Sequence, residues 1–218
     1  MTVRAPNRPT LVRDALYSLS NAEHIVGMPA QVAPPRRWTL EEFERERDAA
    51  PRGERWEFVA GEVLVTPAPH WTHQRVTARL FVLIDAHARA ERIGEAFGAS
   101  PDVKLAPNLV LQPDVLVVPA GVLRKRSDIV NRLLLAVEVL SPSSARHDRV
   151  RKRPVYQRNR VPEYWVVDDR SQTFERWRPD DERPELLDRR LEWNPEGATA
   201  PLTIDLEAFF AEVAPESD

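Results

Sequence analysis

Residues 133–140 read Leu-Leu-Leu-Ala-Val-Glu-Val-Leu, and Glu138 is the one polar residue in that run. Such a stretch has the pattern of a strand buried on both faces, where an ionised carboxylate is costly unless it is paired or holds a metal. Two further acids stand where strand patterning does not ask for them. Asp114 follows Pro113 and precedes the β-branched segment 115–118, and Glu57 lies between Trp56 and Phe58. Three carboxylates carried on separate strands offer the oxygen ligands that a hard divalent cation takes, with room for retained water. A nearby lysine then offsets charge developing on a phosphate or helps to activate the attacking water.

Each acid also has a plain structural reading. An Asp after Pro commonly closes a turn, Glu57 fits a solvated hairpin face, and Glu138 fits a salt bridge to one of the many arginines. The absence of cysteine excludes disulfide staples, thiolate zinc sites and cysteine nucleophiles. His70, His87 and His147 have no zinc-like spacing, so no transition metal is assigned. The formal charge of −3 does not decide for or against nucleic acid. Among 31 basic residues only Lys104, Lys125 and Lys152 are lysine, and a guanidinium cannot replace a compact ammonium at a tight site. Arg146, Arg149, Arg151, Lys152, Arg153, Arg158 and Arg160 crowd residues 146–160 against Asp148, with a second cluster at Arg124, Lys125 and Arg126. This is the footprint of a phosphate-backbone contact, with a solvated helix face paired to acids elsewhere as its alternative.

The elements that must position these residues follow from periodicity. Residues 1–36 carry five prolines and no sustained period, which predicts a mobile extension before a single domain over 37–214. Thr39 and Glu42 form a capping-box pattern ahead of a helix with Leu40 and Phe43 on its core face. Residues 55–66 predict a hairpin turning at Ala60-Gly61, and Val76, Leu80, Leu83 and Ile84 predict an amphipathic helix over 70–92. Strands are expected at 102–106, 115–118, 133–140 and 163–167, with a charged helix at 144–159 between the last two. Residues 174–178 and 191–193 suggest a closing antiparallel pair, and Thr203 opens a last helix with Leu206, Phe209 and Phe210 inward. The order implies an α/β fold, a mixed sheet with helices on both faces. No apolar run approaches membrane-spanning length and no secretory leader is visible, so a cytoplasmic protein is expected.

The series Trp56-Glu57 to Glu62, His73, Pro113-Asp114, Glu138-Val139, the serines and proline at 141–144, Asp148, Lys152, Tyr156 and 163–165 (Glu-Tyr-Trp) resembles the Uma-two family over roughly residues 38–213. That restriction-endonuclease-like family belongs to the PD-(D/E)XK nuclease superfamily. The resemblance implies a restriction-endonuclease-like sheet flanked by helices and a Mg2+-dependent endonuclease, with Mn2+ as a substitute ion and DNA as the expected partner. It gives Asp114 and Glu138 as metal-binding acids, Glu57 as an additional acid, the main-chain carbonyl of Val139 as a further ligand and Lys152 as the basic member. His73, Arg149, Arg151, Arg153 and Tyr156 are the expected nucleic-acid contacts, and a homodimer would allow both strands to be cut. A capping or core-edge histidine is the alternative for His73, and a partner that orients Lys152 is the alternative for Tyr156. Position 140 is leucine, so the lysine is absent from the superfamily's short E-x-K and lies on the following helix. Asp148, Lys152 and Tyr156, four apart, share one face if that helix is regular. Pro154 opposes regularity, unless a helix begins near it and residues 148–152 form an irregular approach.

Overall fold

The computed structural model describes residues 36–51, 53–66, 70–98, 101–122, 130–142 and 144–214. The predicted extension at 1–36, apart from Arg36, and the basic cluster at 124–126 lie outside the described residues.

Helix α1 (Leu40–Ala49) starts on the predicted capping box: Thr39 accepts from the Glu42 N–H, and the Glu42 side chain accepts in return from the Thr39 N–H. Strands β1 (Arg55–Val59) and β2 (Glu62–Thr66) form the hairpin. Ala60 at φ 49° and Gly61 at φ 92° make its turn, the pair of positive φ values that matches strand twist. On β1, Trp56 and Phe58 alternate to one side and pack against Phe43 of α1. The same alternation sends Arg55 and Glu57 to the other side.

Helix α2 (Trp71–Ala90) is followed by β3 (Gly94–Gly98), β4 (Leu109–Val110), β5 (Val115–Pro119) and β6 (Leu135–Val139). A helical segment then runs through α3 (Ala145–His147), a π-turn (Asp148–Lys152) and α4 (Arg153–Arg158). Strands β7 (Glu163–Asp168), β8 (Thr173–Trp177), β9 (Glu185–Leu187), β10 (Arg190–Trp193) and β11 (Leu202–Asp205) lead to helix α5 (Leu206–Val213). The main sheet has six strands in the order β3-β5-β6-β7-β8-β9, with β6 and β7 parallel and the other pairs antiparallel. Strand β1 joins β2 and β4 in a separate three-stranded sheet. Among the described residues no helix is long and apolar enough to cross a membrane.

Alternation along the central strands divides the core. Val115, Val117, Val137 and Val139 face Val76, Leu80 and Ile84 of α2 and Phe209 and Phe210 of α5. Leu116, Val118, Ala136 and Val166 face Val155 and Tyr156 of α4. By parity Glu138 belongs to this second face, beneath the π-turn. Strand β5 pairs Val115 with Val137, so one further step in the register sets Asp114 against Glu138.

Several elements depart from the sequence expectation. Residues 102–106 contribute only two isolated bridges, from Val103 to Leu111 and to Val130. Strand β3 was masked by its two glycines, a pattern poor in strand formers; a Cβ on Gly94 would stand 2.1 Å from the Val118 carbonyl oxygen, so close pairing excludes a side chain there. Strands β8 and β10 do not pair with each other: β8 joins β7 and β9, and β10 pairs with β11. The last helix takes Asp205 rather than Thr203 as its N-cap.

Candidate active site

Glu57, Asp114, Glu138 and Lys152 come together and are buried, although they arrive from β1, the loop before β5, the end of β6 and the π-turn. Lys152 Nζ lies 2.6 Å from Glu57 Oε2, 3.0 Å from Glu138 Oε1 and 3.1 Å from Asp148 Oδ1. The Tyr156 hydroxyl donates to the same Glu138 oxygen at 3.3 Å. The predicted face of Asp148, Lys152 and Tyr156 therefore forms, with an irregular turn inside it.

That turn accommodates Pro154. The Arg153 N–H reaches back five residues to the Asp148 carbonyl, and Pro154 falls in the first positions of α4, where a missing N–H is tolerated. The irregular approach over 148–152 is a π-turn, and it carries Lys152 inward instead of diverting it.

Asp114 is held from three sides. Oδ1 accepts from Arg55 Nη1 at 2.6 Å; Oδ2 accepts from the Val139 N–H at 2.8 Å and lies 3.1 Å from His73 Nε2. Glu57 Oε1 accepts from the Gln112 N–H at 2.8 Å. Nη2 of Arg55 donates to the Gln112 carbonyl and stands 4.0 Å from Glu138 Oε2. Sequence patterning had not singled out Arg55; its signal was the two-residue step from Glu57 along one strand.

The electrostatics follow from burial and from this counting of charges. Burial pushes the Asp114 carboxyl up, but the His73 ring, the Arg55 guanidinium and the Val139 N–H outweigh it and hold its pKa below the usual carboxylate value. Burial also raises Glu138, and Asp148, Glu57 and Asp114 add to it against the opposing Lys152, so its pKa lies well above the ordinary range. Lys152 loses solvation too, yet Glu138, Glu57 and Asp148 together keep the ammonium charged. Four carboxylates, Glu57, Asp114, Glu138 and Asp148, thus share two permanent cations, Lys152 and Arg55. Glu138 is the member whose ionisation this surplus of acids opposes.

The residues expected to meet nucleic acid separate. His73 is on Asp114 and lines a cleft of about 520 Å³, together with Arg55, Gln74, Phe81, Gly98 and Gln112. Arg149 is engaged by Glu175 at 2.6 Å and Asp168 at 3.4 Å. Arg153 donates to the Arg149 carbonyl and lies over the Trp177 ring at 4.5 Å. Arg151 is exposed, with Glu62 at 3.4 Å. Tyr156 is wholly buried and meets Glu138 rather than the surface.

Whether these groups suit a divalent ion can be judged from the donors. They are hard carboxylate oxygens with an excess of negative charge, which suits Mg2+ in kind. Among the described residues no three acids or histidines are arranged around one point, and Lys152 and Arg55 contact the carboxylates there. The donor set fits such an ion, and Asp114 and Glu138 would hold it.

Comparison with known proteins agrees with this architecture. Residues 40–212 match the Uma2 family, described as "Putative restriction endonuclease", and the chain belongs to that family. A crystal structure of "a putative nuclease belonging to DUF820" from Anabaena variabilis ATCC 29413 superposes with a TM-score of 0.70 at 20% identity, covering 81% of this chain and 99% of that one. At that identity the likeness speaks for the fold, a mixed sheet flanked by helices. No curated protein matches the chain.

Proposed function

We propose that the chain is a Mg2+-dependent endonuclease that hydrolyses phosphodiester bonds in DNA, with Mn2+ able to replace Mg2+. The observation that carries this reading is the charge of the buried site, where four carboxylates meet two permanent cations. The acids outnumber these cations by two; Glu138, whose pKa lies well above the ordinary range, is the least compensated of them, and a divalent cation would take the place of its proton. Asp114 and Glu138 would hold it, with Glu57 and the Val139 carbonyl as further oxygen donors. Once bound, the ion supplies an activated water and offsets charge on the phosphate.

The chain's own residues supply the rest. Lys152, kept charged by its acids, positions water or takes up charge on the phosphate. Tyr156 holds Glu138 in place through its hydroxyl. His73 and Arg55 face the cleft through which a strand reaches Asp114. Of Arg149, Arg151 and Arg153, Arg151 is the exposed one, and it contacts the backbone.

A titration of Mg2+ and Mn2+ with linear and plasmid DNA, comparing wild type with Asp114→Ala, tests this reading. Cleavage that depends on the ion and disappears in the variant supports it, and unchanged DNA at every ion concentration overturns it. A second reading retains the fold without cleavage, as a nucleic-acid-binding or regulatory module. The contacts of Lys152 and Arg55 with the acids favour it, and binding without cleavage in the same assay would establish it.

A further inference from the structure

The contacts around Asp114 and Glu138 divide their oxygens into two sets. Asp114 Oδ2 is taken by the Val139 N–H and His73, and Glu138 Oε1 by Lys152 and Tyr156. Oδ1 of Asp114 and Oε2 of Glu138 remain, and both face the guanidinium of Arg55, at 2.6 and 4.0 Å. A cation shared by Asp114 and Glu138 needs these same two oxygens. The other two are fixed by contacts that do not involve Arg55, so both carboxylates stay oriented if the guanidinium leaves. Arg55 also lines the cleft of about 520 Å³ that leads from solvent to Asp114, beside His73.

We propose that Arg55 is an exchangeable counterion: it holds Asp114 and Glu138 together until a divalent ion takes them, then turns into the cleft and binds the phosphate of the incoming strand. This rests on the metal-dependent reading above. One guanidinium leaves the acids as a doubly charged ion arrives, so the acid-rich site gains one positive charge, and the released guanidinium meets an anionic strand. A guanidinium suits both partners, because its fork matches carboxylate and phosphate alike. The exchange also makes ion binding and strand binding reciprocal, since each favours the arrangement that the other needs.

The test measures binding in the full chain, apart from turnover. Mn2+ affinity is read by electron paramagnetic resonance for wild type, Arg55→Gln, Arg55→Lys and Asp114→Asn. Arg55→Gln should bind Mn2+ about tenfold more tightly than wild type, the size of one ordinary coupling between competing ligands. Arg55→Lys should fall between them, and Asp114→Asn should lose the ion. In Ca2+, Arg55→Gln should bind a short DNA duplex about tenfold more weakly than wild type, on the same scale of coupling. Equal or weaker Mn2+ binding by Arg55→Gln overturns the inference while leaving the metal-dependent reading intact. No Mn2+ binding by any form overturns both. Should the variants not fold, the wild type answers alone. The buried Arg55 Nε–H, which has no partner among the described residues, should shift and exchange faster with water when Ca2+ is added. An unchanged resonance in the presence of bound Ca2+ refutes the exchange.

Discussion

Lys152 Nζ lies 2.6 Å from Glu57 Oε2, so a single ammonium ties the π-turn to the hairpin strand of the smaller sheet. The same nitrogen meets Glu138 and Asp148, and the side chain is only 2% exposed. Lys152→Ala would leave four buried carboxylates with Arg55 as their permanent cation. Removing one partner of a buried ion pair destabilises by roughly 3–5 kcal/mol, so the urea midpoint should fall strongly. Turnover should drop by about 10²–10³-fold, as when one preorganised electrostatic group is lost. Lys152→Arg should not restore it, because the fork does not fit where a compact ammonium contacts three acids. Wild-type turnover in Lys152→Ala would remove the lysine from the mechanism.

Glu138 makes stability depend on pH in a direction opposite to most carboxylates. Its folded pKa lies above the ordinary value, raised by burial and by the neighbouring acids. A group raised in this way contributes stability that is present below its unfolded pKa and is lost as pH rises through the folded one. Glu138→Gln abolishes that loss and leaves Lys152 paired with Glu57 and Asp148. Without added metal, the variant should therefore gain thermal midpoint over wild type as pH is raised from about 4.5, the ordinary glutamate range. A difference that stays flat or shrinks over that range contradicts the assignment.

Pro154 offers a test of the π-turn. Proline cannot donate to the carbonyl four residues back and its ring crowds that oxygen, so it opposes closure of a regular α-turn. Pro154→Ala restores the donor and permits the turn to close, which would rotate Lys152 relative to Tyr156. The expected outcome is an unchanged or higher thermal midpoint with lower turnover and a changed Lys152 ammonium signal in NMR. Full activity with an unchanged signal would show that the bulge does not depend on proline.

Most of the site was legible because each acid violated its surroundings. Glu138 stood out in an apolar run, Asp114 behind a proline and Glu57 between aromatics, and strand parity sets Asp114 and Glu138 on one face. Helix α1 was legible from its capping box, and the β1–β2 turn from Ala60-Gly61. Arg55 was hidden because an arginine at the start of a strand looks like surface in a chain rich in arginine. Only the fold shows that the Phe43 contact with Trp56 and Phe58 turns Arg55 inward. Strand β3 was hidden because its pairing requires glycine at position 94, which strand propensity disfavours. The partners of β8 and β10 depend on non-local pairing, which local periodicity does not encode.

The arginines at 149 and 151 are two residues apart but should fail in different ways. Arg149 holds Glu175 at 2.6 Å and Asp168 at 3.4 Å, and Glu175 is buried. Its alanine variant strands a buried carboxylate, so the thermal midpoint should fall, by about 2–4 °C for each kcal/mol lost in a domain of this size. Arg151 is exposed and meets Glu62 at 3.4 Å, a contact of the kind that contributes little to stability. Arg151→Ala should leave the midpoint within about 1–2 °C of wild type, since surface substitutions of this type stay near ±0.5 kcal/mol. It should weaken DNA binding to a similar extent for every sequence, because a phosphate contact reads no base. The slope of log affinity against log salt should become shallower by about one unit for the one lost contact. Fluorescence anisotropy across a salt series with two unrelated duplexes measures both effects. An Arg151→Ala protein with an unchanged slope would move the strand path away from the π-turn, toward the cleft face of His73 and Arg55.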